Sequence, residues 1–238
     1  TENRWGNFWS IGGAWLISNE AFLNVPWIDM LKFKLNYGQQ GNDAIGNFRY
    51  VSTYTVSDVG GEPAANFMNI GNRDITWETN ANFNTGIEFE LFDRRLSGSI
   101  EYYNRTTLDL LFQRPVPESA GYRTYWANIG DMRNHGVEID LRGTVVRRKD
   151  LNVTLFANFT SNTSKILKLP VERITEDDFG RKLNGFDSDG YWYGEGDPLY
   201  TWYMQKYAGV NEKGQSMWYV DKKDTNGNIY TTTTTAYT

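Results

Sequence analysis

The sequence predicts an all-β protein, an antiparallel transmembrane β-barrel present in part. Three observations carry that expectation. Hydrophobicity alternates with period two along several stretches, which makes strands with one apolar and one polar face. The strands so read are about nine to eleven residues long, enough to cross a bilayer on a tilt and longer than the ~5–6 residues usual in soluble sheets. Connections also alternate in length along the chain. Short charged turns at 92–95, 147–150 and 211–214 are set against long loops at 38–76, 106–134 and 164–198. In an up-and-down meander this sorts the turns to one end and the loops to the other, the asymmetry of outer-membrane barrels with short periplasmic turns and long extracellular loops.

Composition is consistent with this and narrows the partners. The chain has 238 residues and a net charge of −5, with no basic block, so nucleic acid is not an expected partner. Cysteine is absent, which excludes disulfides, zinc–thiolate clusters and thiol catalysis. A mean hydropathy of −0.59 excludes a helical membrane protein. It does not exclude a barrel, whose strands are only half apolar. The 9 Trp and 15 Tyr suit membrane interfaces and binding surfaces, because each ring has an apolar body and a polar tip. Thr1 follows no signal peptide and the chain ends in TTTTTAYT without a closing element, which reads as a fragment.

About eight strands are expected. Trp9, Ile11, Trp15 and Ile17 mark the first, with Gly12–Gly13 allowing a bend; Leu31, Phe33, Leu35 and Tyr37 mark the second. Residues 38–76 read as a long loop, with a weak hairpin signal around Phe48 to Thr55. The clearest element is a hairpin at 83–103. Phe83, Ile87, Phe89 and Leu91, then Leu96, Ile100 and Tyr102, share one face; Asn84, Glu88, Glu90, Ser97, Ser99 and Glu101 share the other. Pairing Leu91 with Leu96 puts Phe89 over Gly98 and Ile87 opposite Ile100, and a one-residue slip would turn one apolar set to the wrong side. Pro115 and Pro117 argue against a central strand in the next connection. A second hairpin follows, with Val137, Ile139, Leu141, Val153 and Leu155 on its apolar face and Glu138, Asp140 and Asn158 on its polar face. Residues 200–209 and 215–221 read as a last pair of strands. The apolar set is expected to face lipid and the polar set the lumen.

Chemistry-bearing residues are few. His135 has no nucleophile or metal partner at a fixed spacing and reads as a strand-start residue. Glu88, Glu90, Glu101, Glu138 and Asp140 recur at period two, as a solvated lumen lining rather than a hydrolytic carboxylate pair. Asp224 to Asn228 has alternating oxygen side chains but not the glycine placement or closing Glu of a calcium loop, so it reads as an Asn–Gly turn. No catalytic residue, metal ligand or cofactor site is expected. Tyr191, Trp192 and Tyr193, three successive rings in a loop rich in Gly and Asp, are candidate contacts to substrate or a partner; Trp126 is a fourth.

Several stretches resemble the SusC/RagA family of TonB-linked outer-membrane transporters. They are Trp15 to Phe22, Leu31 to Gly46, Ile75 to Thr79, Asn84 to Ile87, Tyr102 to Leu111 and Asn128 to Glu138, all in family order. The resemblance implies a barrel of about 22 strands closed by a plug. It also implies a SusD-like surface lipoprotein as lid, and import of a glycan or peptide driven by TonB. Residues 1–238 would then be part of the barrel domain, with the plug and remaining strands outside it and TonB engaged through the missing N-terminal part. The expected location is the bacterial outer membrane and the expected activity is transport, not catalysis. The competing readings are a soluble all-β carbohydrate-binding module and a β-rich glycoside hydrolase.

Overall fold

The structure is a computed structural model. It describes residues 3–116, 119, 122, 124–169, 175–177, 181–188 and 190–236. Two units are present, 1–167 and 168–238.

The first unit is organised by a six-stranded antiparallel sheet, ordered β1 (Ser10–Leu16), β2 (Ile28–Asn42), β5 (Glu78–Leu91), β6 (Leu96–Leu108), β9 (Asp131–Arg147) and β10 (Asn152–Lys168). Hairpins interrupt the two long connections. β3 (Thr53–Val59) pairs with β4 (Glu62–Asn69), and β7 (Leu111–Pro115) pairs with β8 (Thr124–Asn128). Pro115 sits at the end of β7, where a missing amide costs no central ladder bond. Gly121 and Pro117, which the sequence places in the same long loop, lie outside the described residues.

The predicted register is the observed one: Leu91 pairs with Leu96, Phe89 with Gly98 and Ile87 with Ile100. A Cβ at Gly98 would lie 3.1 Å from the Phe89 ring, so the ring does cover the glycine. At the turn, Phe92, Asp93 and Arg94 all have positive φ (59°, 52° and 59°). Asp29 caps the Arg94 amide (3.0 Å), Glu90 holds the Arg94 guanidinium (3.0 Å) and Trp27 stacks on Phe92 (5.5 Å).

The long strands exceed the expected length. From β2 to β10 they run 13 to 17 residues. A span on a tilt needs only about nine to eleven, so each carries surplus residues past the apolar zone. That zone is legible on the sheet. From Leu91 to Phe83 is about 27 Å along the strand, or roughly 21 Å of depth at a barrel tilt, near the ~25 Å apolar band of such barrels. Rings bound it at both ends. Trp27 and Phe92 lie at the turn end; Trp9 on Tyr37 (5.4 Å) and Phe83 on Tyr102 (6.3 Å) lie at the loop end.

The apolar face of this sheet is exposed among the described residues. Ile87, Ile100, Leu141, Leu155 and Phe159 are exposed, and among the described residues only Ile75, Ala127 and Ile166 are buried hydrophobics. A soluble protein of this size would bury a sizeable core. This face meets lipid. The opposite face carries Lys32, Lys34, Glu88, Glu101, Glu138 and Asp140, paired across β2, β5, β6 and β9 with their expected neighbours.

The second unit has short strands. β11 (Thr175–Glu176) pairs with β12 (Lys182–Leu183). β13 (Gly185–Ser188), β14 (Tyr191–Gly194) and β15 (Thr201–Trp202) form one three-stranded sheet, and β16 (Tyr207–Val210), β17 (Ser216–Lys223) and β18 (Ile229–Thr234) form another. One expectation changes here. The predicted strand at 200–209 is divided: Thr201–Trp202 pairs with β14, whereas Tyr207–Val210 pairs with β17. The threonine run, 231–235, is mostly in a strand. It forms β18 on β17, which its β-branched residues favour.

Candidate functional site

Two surfaces bear on function, one in each unit. On the polar face of the large sheet, charges cluster toward the turn end. Lys34 Nζ bridges Glu88 Oε1 and Glu101 Oε1, each at 2.7 Å, and Lys32 Nζ reaches Glu88 Oε2 at 3.1 Å. These pairs are partly solvated and each is worth up to about 1 kcal/mol. They align three strands by charge.

Toward the loop end amides dominate the same face, with Arg105 among them. Asn84 Nδ2 donates to Asn36 Oδ1 (2.8 Å) and Thr107 Oγ1 to Asn80 Oδ1 (2.8 Å). Asn36, Gln40, Asn82, Asn84 and Arg105 line a cleft of about 780 Å³ with Phe8 at its rim. Glu78 is buried at the top of β5, where it accepts from Asn42 and Asn80 (both 3.1 Å) and from the Leu111 amide (3.2 Å). Those bonds tie the β7–β8 hairpin to the sheet. Asn128 adds a second tie, with Oδ1 accepting from the Thr76 amide (2.8 Å). The sequence reading identified the polar face but not its division into charged and amide tiers.

Trp126 lies in β8 opposite Gln113 and is half-buried; its carbonyl accepts from Asn72 (3.0 Å). Tyr191, Trp192 and Tyr193 form a strand, β14, not an open loop. Alternation sends Tyr191 and Tyr193 to one side and Trp192 to the other. Tyr191 packs on Trp202 (4.9 Å) and Tyr200 (5.5 Å), and Tyr193 stacks on Phe186 (5.2 Å). Trp192 stacks on Tyr203 (5.4 Å) and its indole N–H donates to Asp197 Oδ2 (2.9 Å). Gly194 permits that bond, since a Cβ there would collide with both the indole and the Asp197 carboxylate.

The candidate rings are therefore the half-buried base of a larger cluster. The rings presented to solvent are Trp202, 67% exposed, Tyr200, 61%, and Tyr203, 48%. Sequence reasoning assigned these three to a strand, although the YTWY run carried the same signal as YWY. Trp192, Trp202 and Tyr203 line a cleft of about 470 Å³ with Leu183, Asp177 and Arg181. Arg181 is held by Asp177 and by Asp221 (3.2 Å), so a guanidinium stands fixed beside aromatic walls. Such a cleft suits stacking and polar contacts to a large ligand, and nothing in it resembles a hydrolytic constellation.

Asp224 is a turn cap. Its Oδ1 accepts from the Asn226 and Asn228 amides (2.8 Å each) and its Oδ2 from the Asn228 side chain (3.0 Å). His135 sits on β9 opposite Asn104, on the lipid side of the sheet.

A long-stranded sheet with an uncovered apolar face, aromatic rows at both margins and a polar inner face is a section of an outer-membrane β-barrel. Comparison with known proteins takes this further. The family model described as TonB dependent receptor-like, beta-barrel, matches residues 1–238, and the chain belongs to that family. It is 34% identical over 221 residues to TonB-dependent receptor P39 of Formosa agariphila, covering 90% of this chain and 20% of that protein. It is 30% identical over 178 residues to TonB-dependent receptor SusC of Bacteroides thetaiotaomicron, covering 71% of this chain and 18% of that one. Among solved structures it is similar to the RagAB peptide transporter, with a TM-score of 0.83 and 33% identity, over 100% of this chain and 26% of that one. The chain thus spans about a fifth of the length of these curated relatives. Its location is the outer membrane, as for the family. These relatives are receptors and transporters, which points away from an enzyme.

Proposed function

We propose that residues 1–238 form part of the barrel domain of a SusC-like transporter. It imports a large nutrient, a glycan or a peptide, under a SusD-like surface lipoprotein. Import is energised by TonB, which acts through an N-terminal plug-bearing part outside this chain. The observation that carries the reading is the two-faced sheet, apolar and uncovered outside, charged and amide-lined inside. Similarity to the RagAB peptide transporter supports a peptide, and the lid and the glycan alternative rest on the SusC/RagA family resemblance. The cleft suits a polar chain, because its Asn and Gln side chains both donate and accept and Arg105 adds further donors. The loops at 38–76, 106–134 and 164–198 face outside and the turns near Asp93 and Lys149 face the periplasm.

Tyr191, Trp192 and Tyr193 in the second unit meet substrate or lid, and so, separately, does Trp126 in the first. Buried aromatic anchors at such surfaces cost roughly 2 kcal/mol or more on truncation. Trp192→Ala in the full-length protein is then expected to weaken lid association or nutrient binding about thirtyfold. Because Trp192 also packs inside the cluster, Trp202→Ala is the companion variant, since it removes a largely exposed ring and leaves the Trp192–Tyr203 stack and the Trp192–Asp197 bond in place. Unchanged uptake and lid association for both variants, at normal outer-membrane levels, would make the cluster a packing feature only.

A further inference from the structure

The lipid-facing side of the sheet does not stay apolar to its end. Above the Tyr37–Phe83–Tyr102 aromatics, β6 and β9 continue outward on the same face. Cross-strand pairing sets Asn104 beside His135 and Thr106 beside Arg133. On the adjoining β10, Thr154 contacts Thr144 (3.3 Å) and Asn162 accepts from the Tyr103 hydroxyl (3.1 Å), both on the polar inner face. Alternation from those positions puts Lys165 on the outer face with Arg133.

These groups lack the partners that their inner-face counterparts have. On the inner face Lys32 and Lys34 are paired to carboxylates, and Arg105 and Arg142 lie over the Tyr103 and Phe156 rings (5.5 and 5.4 Å). Among the described residues, Arg133 and Lys165 have no ion pair. Arg133 Nε, His135 Nδ1 and Asn104 Oδ1 are buried atoms without a hydrogen-bond partner. The nearest acid along the same face, Asp131, uses Oδ1 to accept the Asp109 amide (3.1 Å). Unpaired buried polar atoms are rare in folded proteins and call for an explanation, and here they adjoin two cations that no carboxylate neutralises.

Depth identifies the occupant. The patch begins where the apolar band and its aromatic margin end, which is headgroup level. Anions at that level are phosphates carried by lipid, and Arg binds phosphate with a two-pronged donor fork. We propose that Arg133, Lys165 and His135, with Asn104 and Thr106, bind the phosphorylated headgroup of an outer-leaflet lipid. The site holds a bound lipid against β6, β9 and β10 and is separate from the path of the imported nutrient. It rests on the outer-membrane barrel reading and not on the identity of the substrate or lid.

The test uses the full-length protein, extracted in mild detergent and incubated with bisphosphorylated lipid A or with its dephosphorylated form. Native mass spectrometry reads the bound fraction. Wild type should retain the phosphorylated lipid, and Arg133→Gln/Lys165→Gln should retain at least about tenfold less. Arg133→Lys should keep much of the binding, and Lys34→Gln on the inner face should keep all of it. Heat-modifiable mobility on gels verifies that each variant is a folded barrel. Equal retention by wild type and the double variant, or equal retention of the two lipid forms, would overturn the proposal. So would competition by inorganic phosphate at the lipid's concentration, which would make this a free-anion site. Nutrient uptake and lid association are measured on the same variants. Absence of uptake and lid association in wild type, with lipid retention intact, would count against the transport reading alone.

Discussion

The large sheet and the small sheets of the second unit are built from the same alternating pattern but are held by different forces. Strands of the first unit run to 17 residues, and their ladders continue across six strands. Its side chains form an apolar face that is exposed among the described residues, so lipid supplies the contact. In the second unit the strands run from two to eight residues, and rings pack on rings: Tyr191 on Trp202, Trp192 on Tyr203, Tyr193 on Phe186. Strand length decides between these outcomes. A long two-faced strand commits an entire face to one solvent, whereas a short one needs local packing and turn caps to hold it.

The sharpest test of that contrast is Ile100→Arg. Ile100 lies near the middle of the apolar band, between Ile87 and Ile139. A charge at that depth should cost about 2–4 kcal/mol in refolding into lipid. Ser99→Arg, one residue away on the inner face, lies between Glu88 and Asp140 and should change stability by no more than ~0.5 kcal/mol. Similar losses for both would mean that the faces do not differ in solvent.

Gly98→Val should come next. A Cβ there meets the Asp140 carbonyl oxygen, which belongs to the ladder and cannot swing away, and Leu141 Cδ2 at 2.9 Å. Overpacking of this kind costs about 1–3 kcal/mol, and the folded, heat-modifiable fraction of the barrel should fall accordingly.

In the second unit, Asp197→Ala removes the acceptor of the Trp192 indole. The expected cost is about 1–2 kcal/mol and is local, read as faster proteolytic cutting between 184 and 203 with the barrel fraction unchanged. A drop in barrel fraction would show that the two regions are not independent in stability.

The smallest effect is a pH dependence at the β17–β18 turn. The Asn228 side-chain amide, followed by the backbone amides of Asn228, Asn226 and Gly227, holds the Asp224 carboxyl below its usual range. A lowered folded value means that its stabilisation is fully present above the unfolded value of about 3.9 and is lost as pH falls through the folded one. Amide exchange at Asn226 and Asn228 should therefore quicken in acid, and Asp224→Asn should flatten the response.

The faces of the long strands, the 91–96 turn and the register of β5 with β6 were legible in the sequence. Period two leaves one register that keeps Phe89, Ile87 and Ile100 together on one side. The family was legible too, because its segments lie on those same strands. Strand limits were less so, since nothing local marks where β9 leaves the membrane zone and continues as Arg133 and His135. Tyr191 to Tyr193 read as a loop because three adjacent rings do not alternate with polar residues; they became a strand only when Phe186, Trp202 and Tyr203 supplied a partner for each side. The orphaned Arg133 and His135 likewise follow from pairing. Asn104 and His135 are far apart in sequence, and only the tertiary register puts them side by side without an acid between them.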